Sequence, residues 1–162
     1  MSESARKVGV EVRFEIKQID RLLEEYAGLL EIVRQGKPDL VQMTAVASVL
    51  HSFYTGVENI LLPVAKTVDK RIPSGRQWHR DLLQQMSEAC PNRGPVISAQ
   101  LARKLVDYLG FRHFYRHSYS FFIDWAELKR LVAALPETWT QAKEEFAEFL
   151  QSLNQPDSDS QR

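Results

Sequence analysis

The chain has 162 residues, 44% of them hydrophobic and 26% charged, with 21 Lys and Arg balanced by 21 Asp and Glu. That length is one domain with room for a core, and the absence of net charge excludes a global basic field, so any nucleic-acid contact must come from local charge. Seven Gly and seven Pro leave little for a turn-rich β architecture, while the single Cys90 excludes an internal disulfide and fits a reducing compartment.

No run approaches the roughly 18 apolar residues of a membrane span. The opening Met1-Ser-Glu-Ser-Ala-Arg-Lys followed by Val8-Gly-Val-Glu-Val is no signal-peptide core. The expected location is the cytoplasm, with no membrane partner. Cys90, just ahead of Pro91, reads as a small apolar residue and not a reactive thiol.

In chain order, Val12, Ile16, Ile19, Leu23, Tyr26, Leu30 and Val33 recur with 4-3 spacing, a helical seam that Gly36-Lys37-Pro38 stops. Val8, Val10, Val12, Phe14 and Ile16 also alternate with period two, a strand signal without a partner strand elsewhere, so helix is preferred. Val46, Leu50, Phe53, Val57, Ile60 and Val64 form a second seam. Pro63 inside it predicts a kink or break just before that residue. Ser74 or a neighbour is expected to open a short helix over Gln77–Glu88, and Pro91-Asn-Arg-Gly-Pro95 reads as a linker.

Ser98 is a good N-cap for the next helix, whose Leu101, Leu105 and Tyr108 are followed in phase by Arg112, Tyr115 and Tyr119. Gly110 within it suggests close backbone approach. Asp124 is the expected cap of a segment carrying Trp125, Leu128, Leu131 and Val132, and Pro136 the first-turn residue of a final helix carrying Trp139, Phe146, Phe149 and Leu150. The fold class predicted is all-α, an antiparallel helical bundle with additional short helices, over residues 1–153. Residues 154–162 are a polar tail expected to be disordered. The long seams also suit a symmetric dimer.

Chemistry concentrates in Phe111-Arg-His-Phe-Tyr-Arg-His-Ser-Tyr119, which holds two arginines, two of the four histidines and two tyrosines. Arginine presents a rigid fork of donors to phosphate and histidine exchanges protons near neutral pH. On an ideal helix Arg112, Arg116 and Tyr119 share a stripe, His113 and His117 the adjacent one, with Arg112 and His117 about 140° apart. A second copy of the helix across a twofold axis is one way to bring the two groups together. The plain alternative is that these cations only complement the C-terminal end of the helix dipole.

His113 and His117 are also i, i+4, as in zinc-binding helices. Phe114-Tyr-Arg between them supplies no acidic base, no third ligand follows closely, and the arginines repel a cation, so no metal site is assigned. His51 and His79 read as partly buried or surface histidines, Trp78-His79-Arg80 as a weak second polar patch, and Tyr54 and Tyr108 as core aromatics.

Arg112-x4-His117-x-Tyr119 resembles the R-x4-H-x-Y pattern of HepT-type toxins, within the HEPN superfamily of helical-bundle ribonucleases. The run Phe53-Tyr-Thr-Gly-Val-Glu-Asn-Ile60 looks like the second helix of such proteins, and the similarity spans about Leu40 to Leu150. The resemblance implies a HEPN-like homodimer that cleaves RNA, tRNA above all, without metal or cofactor, leaving a 2′,3′-cyclic phosphate. It implies a nucleotidyltransferase-type antitoxin as partner. Arg112 and His117 become the catalytic pair and Tyr119 the residue modified by AMP addition. His113, Tyr115 and Arg116, which the family pattern does not assign, are expected beside them as substrate-binding residues. Two alternatives stand beside it: a catalytically silent module of the same fold that binds a nucleotide or a nucleotidyltransferase, and a purely structural helical protein.

Overall fold

The structure is a computed structural model that describes residues 2–155, Ser120 by its backbone alone. Six α-helices make up the described chain: α1 (Glu3–Glu25), α2 (Ala27–Gln35), α3 (Leu40–Pro63), α4 (Trp78–Ser87), α5 (Ala99–His117) and α6 (Trp125–Asn154). A π-helical turn, Val64–Val68, follows α3, and a 3₁₀ turn, Ser120–Phe122, joins α5 to α6. The fold is all-α, as expected. The polar tail expected from residue 154 lies outside the described residues except for Asn154, the last residue of α6, and Gln155, its C-cap.

α3 is the central helix. A capping box starts it: Asp39 Oδ1 accepts from the Gln42 N–H at 2.7 Å, and Gln42 Oε1 accepts from the Asp39 N–H at 3.0 Å. Met43, Val46, Leu50, Phe53, Tyr54, Val57, Ile60 and Leu61 are buried, so apolar side chains cover most of its circumference and other helices must enclose it. α1 and α5 pack on it directly, α4 against α5, and α2 against α6. Phe53 meets Tyr108 of α5 and Trp139 of α6 edge-on, with ring centroids 5.2 and 5.9 Å apart. Such pairs contribute about 0.5–1.5 kcal/mol each beyond burial. Trp139 Nε1 donates to Asp20 of α1 at 2.7 Å, tying the last helix to the first.

Several local expectations are corrected. The seam Val12–Val33 bends at Tyr26, whose φ of −103° and ψ of 11° end α1. Hydrogen bonds continue across it, Tyr26 N–H to Leu22 C=O and Leu30 N–H to Tyr26 C=O. The bend turns Tyr26 outward and re-aims Leu30 and Val33 into the core against α6. The period-two run, by contrast, is helical as preferred, with Val8 and Val12 buried but Val10 and Phe14 exposed.

Pro63 does not break α3 ahead of itself. The helix runs through it and widens just after into i→i+5 bonding, Asp69 N–H to Val64 C=O at 3.1 Å, so the break comes one turn later than expected. Pro136 likewise starts no helix: it lies on the exposed side of α6. The buried stripe Leu128, Leu131, Val132, Leu135, Trp139, Ala142 and Phe146 runs past it without a phase change. That burial outweighs a mid-helix proline cost of about 3 kcal/mol.

Nor does Ser74 cap α4, whose N-cap Gln77 makes no side-chain bond. Gly110 faces open space, whereas a Cβ on Gly56 would lie 2.7 Å from Ile19 Cγ1, so the close approach is between α1 and α3.

The segment read as a linker, Pro91–Pro95, is instead clamped. Arg93 is buried, with Nε and Nη2 each 2.6 Å from the two Asp69 oxygens and Nη1 donating to the carbonyls of Glu88 and Gly94 at 2.9 Å. Gln85 Nε2 adds a 2.8 Å bond to Asp69.

Candidate functional site

α5 is anchored at its start and free at its end. Ser98 Oγ accepts from the Leu101 N–H at 3.0 Å, the cap predicted, while Glu145 of α6 accepts from Ser98 through both its backbone N–H and its hydroxyl. Leu101, Leu105, Tyr108 and Phe111 are buried, and the Tyr108 hydroxyl donates to the Leu131 carbonyl at 2.7 Å. Burial pushes the Tyr108 pKa up to about 12. After Phe111 the apolar face gives out: Arg112 and His113 lie one turn from the end, and the last turn presents Arg116 and His117 where cations suit the exposed carbonyls.

Arg112 is half-buried and its Nε donates to Thr55 Oγ1 of α3 at 3.4 Å. His113, Arg116 and His117 are exposed, and the His113 and His117 rings lie 4.8 Å apart. Tyr115 is half-buried between Phe111 and His51, with centroids at 6.3 and 5.4 Å. The predicted stripe Arg112–Arg116–Tyr119 is corrected at its end. α5 stops at His117, Ser118 is extended (φ −130°, ψ 157°), and Tyr119 leaves the helix to stand 71% exposed against Phe121.

His51 was not singled out by its sequence context, yet it belongs with this cluster. Burial lowers its pKa from the ordinary 6.5, and the nearby charges of Arg112 and Arg116 lower it further. His51 and Thr55 are i, i+4 on α3, polar positions flanking an otherwise apolar seam. That pattern was the available signal. With Glu15, Gln18, Ser52 and Asn59 they line a groove of about 300 Å³ between α1 and α3.

One turn further along α3, buried Glu58 takes His79 Nδ1 at 2.5 Å, and His79 stacks on Trp78 at 3.6 Å. Trp78-His79 is therefore a clamp between α3 and α4. The Tyr54 hydroxyl is buried with no hydrogen-bond partner among the described residues, and burial, with the Glu58 charge beside it, pushes its pKa far up. No three His, Cys, Asp or Glu side chains among the described residues converge as metal donors, and no described helix is long and apolar enough to cross a membrane.

Across residues 45–153, from α3 to the end of α6, the chain matches the family model described as HepT-like protein. The chain belongs to the HepT-like family. No curated protein and no solved structure matches it. The HepT-like match holds the whole Arg112–Tyr119 segment together with His51 and Thr55, and leaves α1 and α2 outside. It agrees with the resemblance expected over Leu40–Leu150 and identifies a HEPN-type helical module.

Proposed function

We propose that this HepT-like protein is a metal-independent endoribonuclease toxin of the cytoplasm, acting on RNA of the tRNA class as a homodimer. The observation that carries the reading is the end of α5: two arginines and two histidines fall within its last six residues, and neither Arg112 nor Arg116 has a carboxylate within ion-pair distance among the described residues. Unpaired guanidiniums beside imidazoles suit a phosphodiester. The ribose 2′-hydroxyl is the nucleophile, already held near the phosphorus by the substrate itself. His117 takes or returns a proton, worth about 10²–10⁴-fold in rate, and Arg112 stabilises charge on the phosphorane oxygens. Bond cleavage yields a 2′,3′-cyclic phosphate and a 5′-hydroxyl.

In-line transfer needs a base on one face and an acid on the other. A second copy of α5 across a twofold axis supplies the second imidazole. His113, Tyr115 and Arg116 bind the flanking substrate. Tyr119, exposed and off the helix, is the acceptor for AMP from a nucleotidyltransferase antitoxin, which adds negative charge and bulk just past the basic end of α5 and obstructs RNA entry.

The test is incubation of the purified protein with tRNA in EDTA, beside His117→Ala and Arg112→Ala, with analysis of product ends. Cleavage with cyclic-phosphate ends that both substitutions abolish is the expected result. Cleavage that needs added metal, or that survives both substitutions, overturns the reading. Nucleotide-dependent thermal stabilisation without turnover identifies a silent binding module instead.

A further inference from the structure

The groove between α1 and α3 adjoins Arg112 but has no role in the proton transfers. Thr55 is the joint: it lines the groove, and its Oγ1 is the atom that accepts from Arg112 Nε at 3.4 Å. His51 lies four residues back on α3, about 6 Å along the helix axis. It lines the same groove and packs on Tyr115 of α5, ring centroids 5.4 Å apart. A group held by Arg112 therefore has the mouth of this groove beside it.

The groove is rich in hydrogen-bonding groups and poor in positive charge. Glu15 and Gln18 of α1 line it, with His51, Ser52, Thr55 and Asn59 of α3, and no Lys or Arg among the described residues does. Burial, helped by the Arg112 and Arg116 charges, keeps His51 below its ordinary 6.5, so its ring adds no cation at pH 7. Glu15 has no cation within ion-pair distance among the described residues. The floor is apolar, made by Ile19, Leu22 and the bare backbone of Gly56.

A phosphate finds no partner in such a groove, whereas a flat uncharged ring with polar edges does. In a polynucleotide, the group of that kind next to a phosphate is the base. Glu15 offers two acceptor oxygens and no donor, and the Gln18 and Asn59 amides offer donors. Guanine matches this set: its N1–H and 2-amino group donate side by side to one carboxylate, and its O6 accepts from an amide. Adenine, cytosine and uracil each present a single donor group flanked by acceptors, which a carboxylate repels.

We infer that the α1–α3 groove is a guanine-reading subsite for the base next to the scissile phosphate, with Glu15 on its N1–H and 2-amino group and Gln18 or Asn59 on its O6. This subsite rests on the ribonuclease reading and gives its substrate a preferred base at the cut. Glu15 and Gln18 belong to α1, outside residues 45–153 of the HepT-like match, so the preference is set partly by an element the family model does not contain.

The experiment has a cutting arm and a binding arm. An RNA with a randomised central stretch is incubated with the full chain and with Glu15→Gln, Glu11→Gln and Arg112→Ala, and the bases on both sides of each cut are sequenced. Guanine is expected to be enriched about tenfold at one fixed side of the cut. Glu15→Gln removes the enrichment, Glu11→Gln one turn away on α1 keeps it, and Arg112→Ala stops cutting altogether. In the binding arm, fluorescence anisotropy is measured with labelled 2′-O-methyl strands, which cannot be cut, carrying guanine, inosine or adenine at one position in a uridine run. Inosine lacks the 2-amino donor, so it tests the Glu15 contact without altering the protein. Guanine is expected to bind about tenfold more tightly than adenine, with inosine between them.

No base bias at the cut, a bias toward another base, or a guanine bias that Glu15→Gln retains overturns the subsite. So does guanine bound no better than inosine. The two readings fail separately: guanine-dependent binding without cutting of unmodified RNA sinks the nuclease alone, and cutting without base preference sinks the subsite alone.

Discussion

Arg112 of α5 reaches across to Thr55 of α3, Nε to Oγ1 at 3.4 Å, and this hydroxyl is its one hydrogen-bond partner among the described residues. The contact is long, so it steers the guanidinium more than it holds the helices together. Thr55→Val keeps the shape and removes the acceptor. Thermal unfolding is expected to change by less than about 1 kcal/mol, while tRNA cleavage falls about tenfold as Arg112 loses its orientation. Unchanged cleavage would show that Arg112 needs no such steering.

His51 stands below the ordinary histidine value of 6.5 through burial, with Arg112 and Arg116 adding to the effect. Its ring is therefore neutral at pH 7. Because the folded protein binds that proton more weakly than the unfolded chain, the group's contribution to stability is intact above pH 6.5 and falls as the pH drops toward the lowered value. Removing one cation with Arg116→Ala raises the His51 pKa. An NMR titration of the imidazole protons in both proteins reads the shift, and an unmoved midpoint contradicts the placement.

The Arg93–Asp69 pair is the main polar clamp of the α4–α5 connection, closed by two 2.6 Å bonds and almost fully out of water. Arg93→Ala leaves a buried carboxylate without its partner and is expected to cost about 3–5 kcal/mol, read as a lower denaturant midpoint. Burial by itself would raise the Asp69 pKa, but the hydrogen bonds from Arg93 and Gln85 outweigh it and hold the carboxyl below the ordinary 3.8. Its stabilising contribution is complete above that value and disappears as pH falls through the lower, folded-state pKa. Arg93→Ala should flatten this acid limb of the stability curve.

Two glycines in helices behave oppositely. A Cβ on Gly56 would lie 2.7 and 2.8 Å from Ile19, whereas one on Gly110 meets nothing within 4 Å. Gly110→Ala is expected to stabilise by roughly 0.5–1 kcal/mol through helix propensity alone. Gly56→Ala gains the same propensity but forces α1 off α3, for a net loss of about 1–2 kcal/mol. Equilibrium unfolding of the pair of variants decides the point, and equal effects would refute the close α1–α3 approach.

The capping residues Ser98 and Asp124 and the seam from Val46 to Val64 were readable because each depends on near neighbours: a hydroxyl or carboxylate two or three residues from an orphan N–H, or apolar side chains repeating at the helical period. The Arg112–His117 cluster was readable for the same reason, as residue types at fixed spacing within one helix. Pro136 misled because local chemistry favours proline at a helix start, while the cost of keeping it inside α6 is met by contacts with α1 and α5 that no window of residues contains.

From the order of residues alone came the helical class, the helix that carries the cations and the family pattern they follow, since periodicity, capping and motif spacing are short-range properties. Packing decided the rest. It bent the first seam at Tyr26, turned an apparent linker into the Arg93–Asp69 clamp, brought His51 and Thr55 of α3 alongside Arg112, and stood Tyr119 off the end of α5. Each of these depends on which elements become neighbours in space, and that is fixed by the joint burial of side chains far apart in the chain.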